Sequence, residues 1–339
     1  MKIGVLCPSE IAFRRFMPAI QLLDAVEYVG IGVCTKKELF LTKELDDNSL
    51  NNILRAEHEK ASKFLECYGG CIFDGYQALI ESEDVEAVYI PLPPALHFHW
   101  AKLALLHGKH VLVEKPATIS ANDTKELVKI ATEKGLALHE NYMFCFHNQL
   151  QAIEDAVLEG MVGDVRLYRV SFGFPRRASN DFRYNSELGG GALIDAGGYT
   201  MKYATMLLGR TARLKYAQLN YLDEFEVDIY GSAALVNDEG ITVQVAFGMD
   251  HNYKCELEVW GSKGCLTTNR ILTAPAEYVP EAVVERGNEK EVLVLPQDNA
   301  FKKSVEYFVK CVDDEKLRIN TYGEMIIQAE MVDKFRQMA

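Results

Sequence analysis

The sequence predicts an α/β chain in two parts: a doubly wound parallel sheet, then an α+β domain with an open, mostly antiparallel sheet. Three observations carry that prediction. Short apolar runs alternate with helical stretches through the first third of the chain. The connections between them are short, as in strand–helix–strand units whose crossovers make neighbouring strands parallel. From Ala212 to Thr268 the pattern changes to alternating runs joined by turns such as NDEG and GSKG, the mark of a hairpin-linked sheet.

Ile3-Gly4-Val5-Leu6 reads as a first buried strand, IAFRRFMPAIQLLDA from Ile11 as a helix, and Val26 to Val33 as a second strand. The charged stretch from Lys36 to Tyr68 is mostly helical, and CIFDGYQALIES gives a short strand and a helix beginning near Tyr76. AVYIPLP, HVLVEKP and LALHENYMF then read as strands, separated by the helices ALHFHWAKLALLHGK and SANDTKELVKIATEKG. Residues 1–120 therefore form a first domain whose sheet is completed by 121–140, and 141–339 form a second. In that second part IEDAVLEGMVG is a helix ended by Gly163, and VRLYRVSFGFP alternates as a strand does. A glycine-rich helix start follows at LGGGALIDAGGYTMKYATMLLG. LKYAQLNYL, EVDIYGSAALV, ITVQVAFGM, CELEVWG and CLTTN make the sheet, and SVEYFVKCVDD and GEMIIQAEMVDKFRQ the closing helices.

With 339 residues the chain has material for two cores. A formal net charge of -13 argues against a nucleic-acid backbone or an anionic membrane as the main partner. No apolar run is long enough to span a bilayer. MKIGVLCPSE enters a strand pattern at once and carries no targeting signal, so a cytoplasmic protein is expected. Its eight cysteines are scattered, with no CxxC pair, which predicts reduced thiols and no zinc centre.

Doubly wound sheets bind ligands beyond the carboxyl ends of their strands. There a dinucleotide site carries G-x-G-x-x-G/A, whose glycines let the backbone and a helix N-terminus approach a pyrophosphate. In VLCPSEIAFRR the three positions hold Cys7, Ser9 and Ala12, all small. Ser9 can offer its N–H and hydroxyl to a phosphate, Pro8 removes a donor, and Glu10, beside Ile11, adds negative charge if it turns inward. VEKP ends another buried strand with Lys115, where a partly desolvated lysine can pass protons near neutral pH. GGGALIDAGGYTMKYA carries Asp195 and Tyr199 four apart, on one face of a helix, where a carboxylate can orient a phenol.

A strand-end Lys115, then a glycine-rich helix with Asp195 and Tyr199, then an open sheet resembles the Gfo/Idh/MocA oxidoreductase family over nearly the whole chain. YIPLPPALHFHWAKLALLHGKHVLVEKPATIS is similar to the family's nicotinamide-side strand, helix and lysine strand, ENYMFCFHNQ to its crossing into the second domain, and EVWGSKGCLTTNR to a later sheet strand. Many members have histidine where this chain has Tyr199; tyrosine there is similar to the glucose-fructose oxidoreductase and sugar-nucleotide ketoreductase branch. The resemblance implies an N-terminal Rossmann domain and an oxidoreductase that moves hydride between nicotinamide and a carbon of a sugar, sugar nucleotide or cyclitol. Lys115 and Tyr199 would be its proton-transfer pair, with Asp195 their neighbour. Pro91, Leu92, Pro93, His97 and Glu114 would join Cys7 to Ala12 and Lys115 in lining the cofactor. Arg183, Tyr184 and Tyr199 are candidate substrate contacts. Thr35, Lys36 and Lys37 end the second strand with no carboxylate before Glu38, which predicts NADP(H) over NAD(H), with NAD(H) still accepted. A homodimer or homotetramer built on the second sheet is expected, its strands carrying Val243, Val245 and Phe247 in alternation. The alternative is a non-catalytic nucleotide-binding sensor or scaffold with the same fold.

Overall fold

The computed structural model describes residues 1–39 and 46–339. Two compact units are present: Met1–Thr118 with Asn122–Asn141 and Ser304–Met325, and Ile119–Ala121 with Tyr142–Lys303 and Ile326–Ala339.

The first unit holds six parallel strands, β1 (Lys2–Val5), β2 (Glu27–Val33), β3 (Cys71–Asp74), β4 (Ala87–Ile90), β5 (His110–Val113) and β6 (Leu138–Glu140). They lie in the order β3-β2-β1-β4-β5-β6, so the chain reverses its direction of travel between β1 and β4. That reversal opens a crevice at the carboxyl ends of the strands, where doubly wound sheets take their ligands. β4 is buried at every position, as a strand covered on both faces must be. Its helices are α1 (Met17–Ile20), α2 (Asp47–Tyr68), α3 (Tyr76–Glu81), α4 (Pro94–Leu106) and α5 (Ala121–Lys134).

Several elements differ from their sequence reading. The first helix opens as a π-turn, Ala12–Phe16, and stops at Ile20 rather than continuing to Ala25. Pro18 has no N–H for the carbonyl one turn back, so the preceding turn widens to find other partners. The last two helices, α8 (Ala300–Asp313) and α9 (Glu315–Met338), return residues 304–325 to the first unit. Polar ties hold them there: Ser304 donates to the Asn141 side chain at 2.8 Å and pairs with His139 at 3.0 Å, and the Tyr322 hydroxyl donates to the Leu136 carbonyl.

The second unit is built on eight strands: β7 (Val165–Gly173), β8 (Arg213–Tyr221), β9 (Asp228–Val236), β10 (Thr242–Gly248), β11 (Lys254–Gly261), β12 (Cys265–Asn269), β13 (Glu281–Arg286) and β14 (Glu289–Val294). Their order is β14-β13-β12-β11-β7-β10-β9-β8. All pairs are antiparallel except β7 with β10. Val243, Val245 and Phe247 sit on the buried face, in one core with Met201, Ala204 and Leu208 of α7 (Gly198–Leu208). α6 (Gln149–Leu158) ends earlier than expected, because the chain turns at Gly160 with φ 83°, ahead of Gly163. Among the described residues, no helix is long and apolar enough to cross a membrane.

Candidate active site

The residues expected to hold a dinucleotide share one edge of the first sheet. Cys7 to Ala12 follow β1, Thr35 to Lys37 follow β2, Pro91 to Pro93 follow β4, and Glu114 and Lys115 follow β5. At the β1 turn Ser9 caps the helix: its hydroxyl oxygen accepts the Ala12 N–H at 3.2 Å, and its carbonyl accepts that of Phe13 at 3.0 Å. The N–H groups of Glu10 and Ile11 begin the helix and have no carbonyl one turn earlier to bond. Glu10 points outward, 3.6 Å from Arg14. Small side chains, free leading N–H groups and an outward carboxylate form a donor set that fits a pyrophosphate despite the absent glycines.

The end of β2 is more elaborate than its sequence shows. Glu38 folds back so that its carboxylate accepts from the Thr35 N–H and hydroxyl, at 2.8 and 2.9 Å, and from the Tyr76 and Gln77 N–H groups that open α3, at 3.2 and 3.0 Å. Lys36 is ion-paired with Asp47 at 2.6 Å on the surface, and Lys37 is exposed. Glu57 of α2, which no motif singled out, reaches the same edge. It accepts from the Cys34 N–H at 2.8 Å, the Tyr76 hydroxyl at 2.6 Å and the Cys34 thiol, with the Cys7 thiol 3.7 Å away. Burial, reinforced by that carboxylate, pushes the Cys7 thiol up to about 12, so it stays protonated.

His97 does not face solvent. It is fully buried, with Nδ1 2.7 Å from the Pro116 carbonyl and Nε2 2.7 Å from the Leu92 carbonyl. The ring therefore lies between the turn after β4 and the residue following Lys115, and as a neutral imidazole it donates to one of the two carbonyls. Burial draws its pKa down to about 4, while the two carbonyls act the other way. Glu114 is tied as well: one carboxylate oxygen accepts from the Tyr89 hydroxyl and the Asn141 amide, each at 2.7 Å. Burial raises its pKa, and both donors and Lys115 oppose that rise. The bond between Lys115 and Pro116 is cis.

In the second unit the third glycine of the glycine-rich stretch, Gly191, has a φ of 115° that suits glycine, and its N–H bonds the Arg183 carbonyl at 2.9 Å. Asp228 caps the next turn, accepting the Leu193 N–H at 2.6 Å. That turn, Leu193–Gly197, is again π-helical. Arg183 reaches the Asp195 carboxylate in this turn, its Nε donating at 2.6 Å. Arg183 also reaches Asp181 at 3.1 Å, so this candidate substrate contact is held between two carboxylates. Tyr184 accepts the Arg177 N–H at 2.9 Å and stacks on Phe225, centroids 4.7 Å apart. Tyr199 is half-buried among Tyr142, Phe144 and Phe172, with ring centroids at 5.3, 5.8 and 5.4 Å. Gln328 of α9 fastens this corner by donating to the Gly198 carbonyl at 2.9 Å and the Tyr142 hydroxyl at 3.3 Å.

Comparison with known proteins agrees with this architecture. Residues 26–142 match the oxidoreductase family model with an NAD-binding Rossmann fold, and 150–267 match the GFO/IDH/MocA C-terminal domain. A dTDP-3,4-didehydro-2,6-dideoxy-α-D-glucose 3-reductase of Actinomadura kijaniata is 35% identical over 336 residues, 99% of this chain and 95% of the relative. The enzyme of the same name from Streptomyces violaceoruber is 36% identical, covering 100% and 95%. A crystal structure of a 3-ketoreductase from Actinomadura kijaniata, in complex with NADP and TDP-benzene, superposes with a TM-score of 0.90 at 35% identity, over 100% of this chain and 98% of that one. Variants of that ketoreductase with one lysine replaced by alanine or glutamate, or one tyrosine replaced by phenylalanine, were crystallised with the same two ligands. Sequence, fold and relatives agree: the chain belongs to the Gfo/Idh/MocA family of oxidoreductases.

Proposed function

We propose that this oxidoreductase is an NADPH-dependent ketoreductase of a sugar nucleotide, with Lys115 and Tyr199 as its proton-transfer groups. One observation carries the reading. The lysine and the tyrosine replaced in the Actinomadura variants are separated along their chain by the same number of residues as Lys115 and Tyr199 are here. NADPH, when bound, supplies a hydride to the keto carbon. The chain supplies the proton: the carbonyl oxygen becomes a hydroxyl by taking one from the Tyr199 phenol, with the Lys115 ammonium holding the developing negative charge and resupplying the proton. The rings of Tyr142, Phe144 and Phe172 around Tyr199 keep that phenol in one orientation.

Ser9, with the N–H groups of Glu10 and Ile11, would hold the pyrophosphate, and Thr35, Lys36 and Lys37 the ribose 2′-phosphate. Pro91, Leu92 and Pro93 would bound the nicotinamide end, with His97 and Glu114 as supports behind them. The close relatives are all named as reductases, which supports an enzyme over a scaffold. All eight cysteines are thiols, in keeping with a cytoplasmic setting. The outer face of the second sheet carries Trp260, Tyr216 and Tyr230, an aromatic surface suited to a second copy. Sedimentation showing monomer alone at micromolar concentration would remove that part.

The test of the reaction is loss of reduced-nicotinamide absorbance with a dTDP-linked 3-keto sugar. NADPH consumption with that substrate, and none with free sugars, is expected. Turnover of free sugars with no response to the nucleotide-linked ketone overturns the reading.

A further inference from the structure

Three arginines lie in the segment ahead of the glycine-rich stretch, and the structure uses them differently. Arg176 is bound by Glu224 at 2.8 Å and Asp250 at 2.7 Å. Arg183 is bound by Asp195 and Asp181. Arg177 has no carboxylate within ion-pair distance among the described residues, and its guanidinium lies over the Phe174 ring, 5.1 Å from the centroid. A guanidinium on an aromatic face keeps its plane fixed and its N–H fork open, the state in which arginine binds phosphate oxygens in pairs.

The placement is fixed at both ends. The Arg177 N–H donates to the Tyr184 hydroxyl, and Phe174 is held by backbone bonds to Gly248 and His251 at 3.1 and 3.0 Å. Phe174 meets Phe172 at 5.8 Å, and Phe172 meets Tyr199 at 5.4 Å. A row of three rings thus runs from the phenol assigned to proton transfer to the one arginine of this segment without a carboxylate. A sugar diphosphate has the same order of parts: a reacting carbon at one end and, beyond the ring, two phosphates.

We propose that Arg177 is a specificity-determining residue that binds the diphosphate of the sugar-nucleotide substrate. The proposal rests on the ketoreductase reading, and its test separates the two. Thymidine diphosphate is the probe, titrated calorimetrically into the parent, Arg177→Ala and Arg177→Lys with NADP present. Losing a charge-assisted fork weakens binding by about ten- to a hundredfold. Arg177→Ala is therefore expected to bind thymidine diphosphate that much more weakly, and Arg177→Lys to recover part of the loss. Affinity for NADP should stay at the parental value in both. Turnover should show a raised KM for the nucleotide-linked ketone with kcat little changed. Parental affinity in Arg177→Ala overturns the role of Arg177 and leaves the ketoreductase reading standing. A parent that binds NADP but not thymidine diphosphate overturns both.

Discussion

Arg183 donates through Nε to Asp195 at 2.6 Å, and the two side chains are 20% and 13% exposed. The pair therefore works at low dielectric, where an unmatched charge is costly. It also joins the segment carrying Arg177 and Tyr184 to the π-turn that leads into Tyr199.

Arg183→Ala removes the guanidinium that Asp195 and Asp181 share. We expect a loss of about 2–4 kcal/mol in unfolding free energy. Asp195→Asn keeps a hydrogen-bond acceptor and should lose about 1–2 kcal/mol. Urea unfolding checks this, read from a shifted midpoint at unchanged slope. Equal losses would mean that charge is not what holds the pair.

Lys115→Ala and Tyr199→Phe should each lower single-turnover rates by about 10²–10⁴, the usual share of a positioned proton donor. Cofactor affinity should change little. Near-parental rates in both variants would remove the assigned proton chemistry.

His97 gives a pH dependence of stability. An imidazole in the unfolded chain titrates near 6.5, whereas burial lowers it to about 4 in the native protein. Between those values the unfolded chain holds more protons, so stability rises with pH. The contribution is complete above about pH 6.5 and is lost as pH falls toward about 4, amounting to about 3 kcal/mol. His97→Gln should abolish that slope. Buried Trp100, followed in a Trp260→Phe background, reports on the first unit in urea titrations across this range. An unchanged slope in His97→Gln would assign the effect to other groups.

Much of this was legible from sequence because it follows from periodicity. The apolar run of HVLVEKP reads as a buried strand, and the strand β5 ends at Val113, with Lys115 just beyond the sheet's carboxyl edge. The β13–β14 hairpin was missed because β14 is largely exposed and charged, so EKEVLV offers no clean alternation of burial. The partners of Asp195 and Glu38 were illegible for a different reason. Arg183 meets Asp195 from a separate segment twelve residues earlier, and Glu38 finds α3 only through the parallel pairing of β2 with β3. Glu57 likewise lies far along the chain from the two thiols it joins.

The final prediction concerns cofactor choice. A free carboxylate after β2 would bond the ribose hydroxyls of NAD(H) and repel a 2′-phosphate. Glu38 is the first carboxylate after β2, and four donors from Thr35, Tyr76 and Gln77 already surround it. Glu57 is engaged in the same way by Cys34 and Tyr76. Positive charge remains at Lys37 and at Lys36, whose surface pair with Asp47 is weak enough to exchange for a phosphate. We therefore expect NADP(H) to bind more tightly than NAD(H), with the gap narrowing as salt screens the lysines. Lys36→Ala and Lys37→Ala should each weaken NADP(H) by up to about tenfold and leave NAD(H) nearly unchanged. Asp47→Ala, which releases Lys36, should tighten NADP(H). Equilibrium titrations of both cofactors decide the matter: tighter NAD(H) binding by the parent would overturn the preference, and indifference to all three substitutions would exclude these lysines as its source.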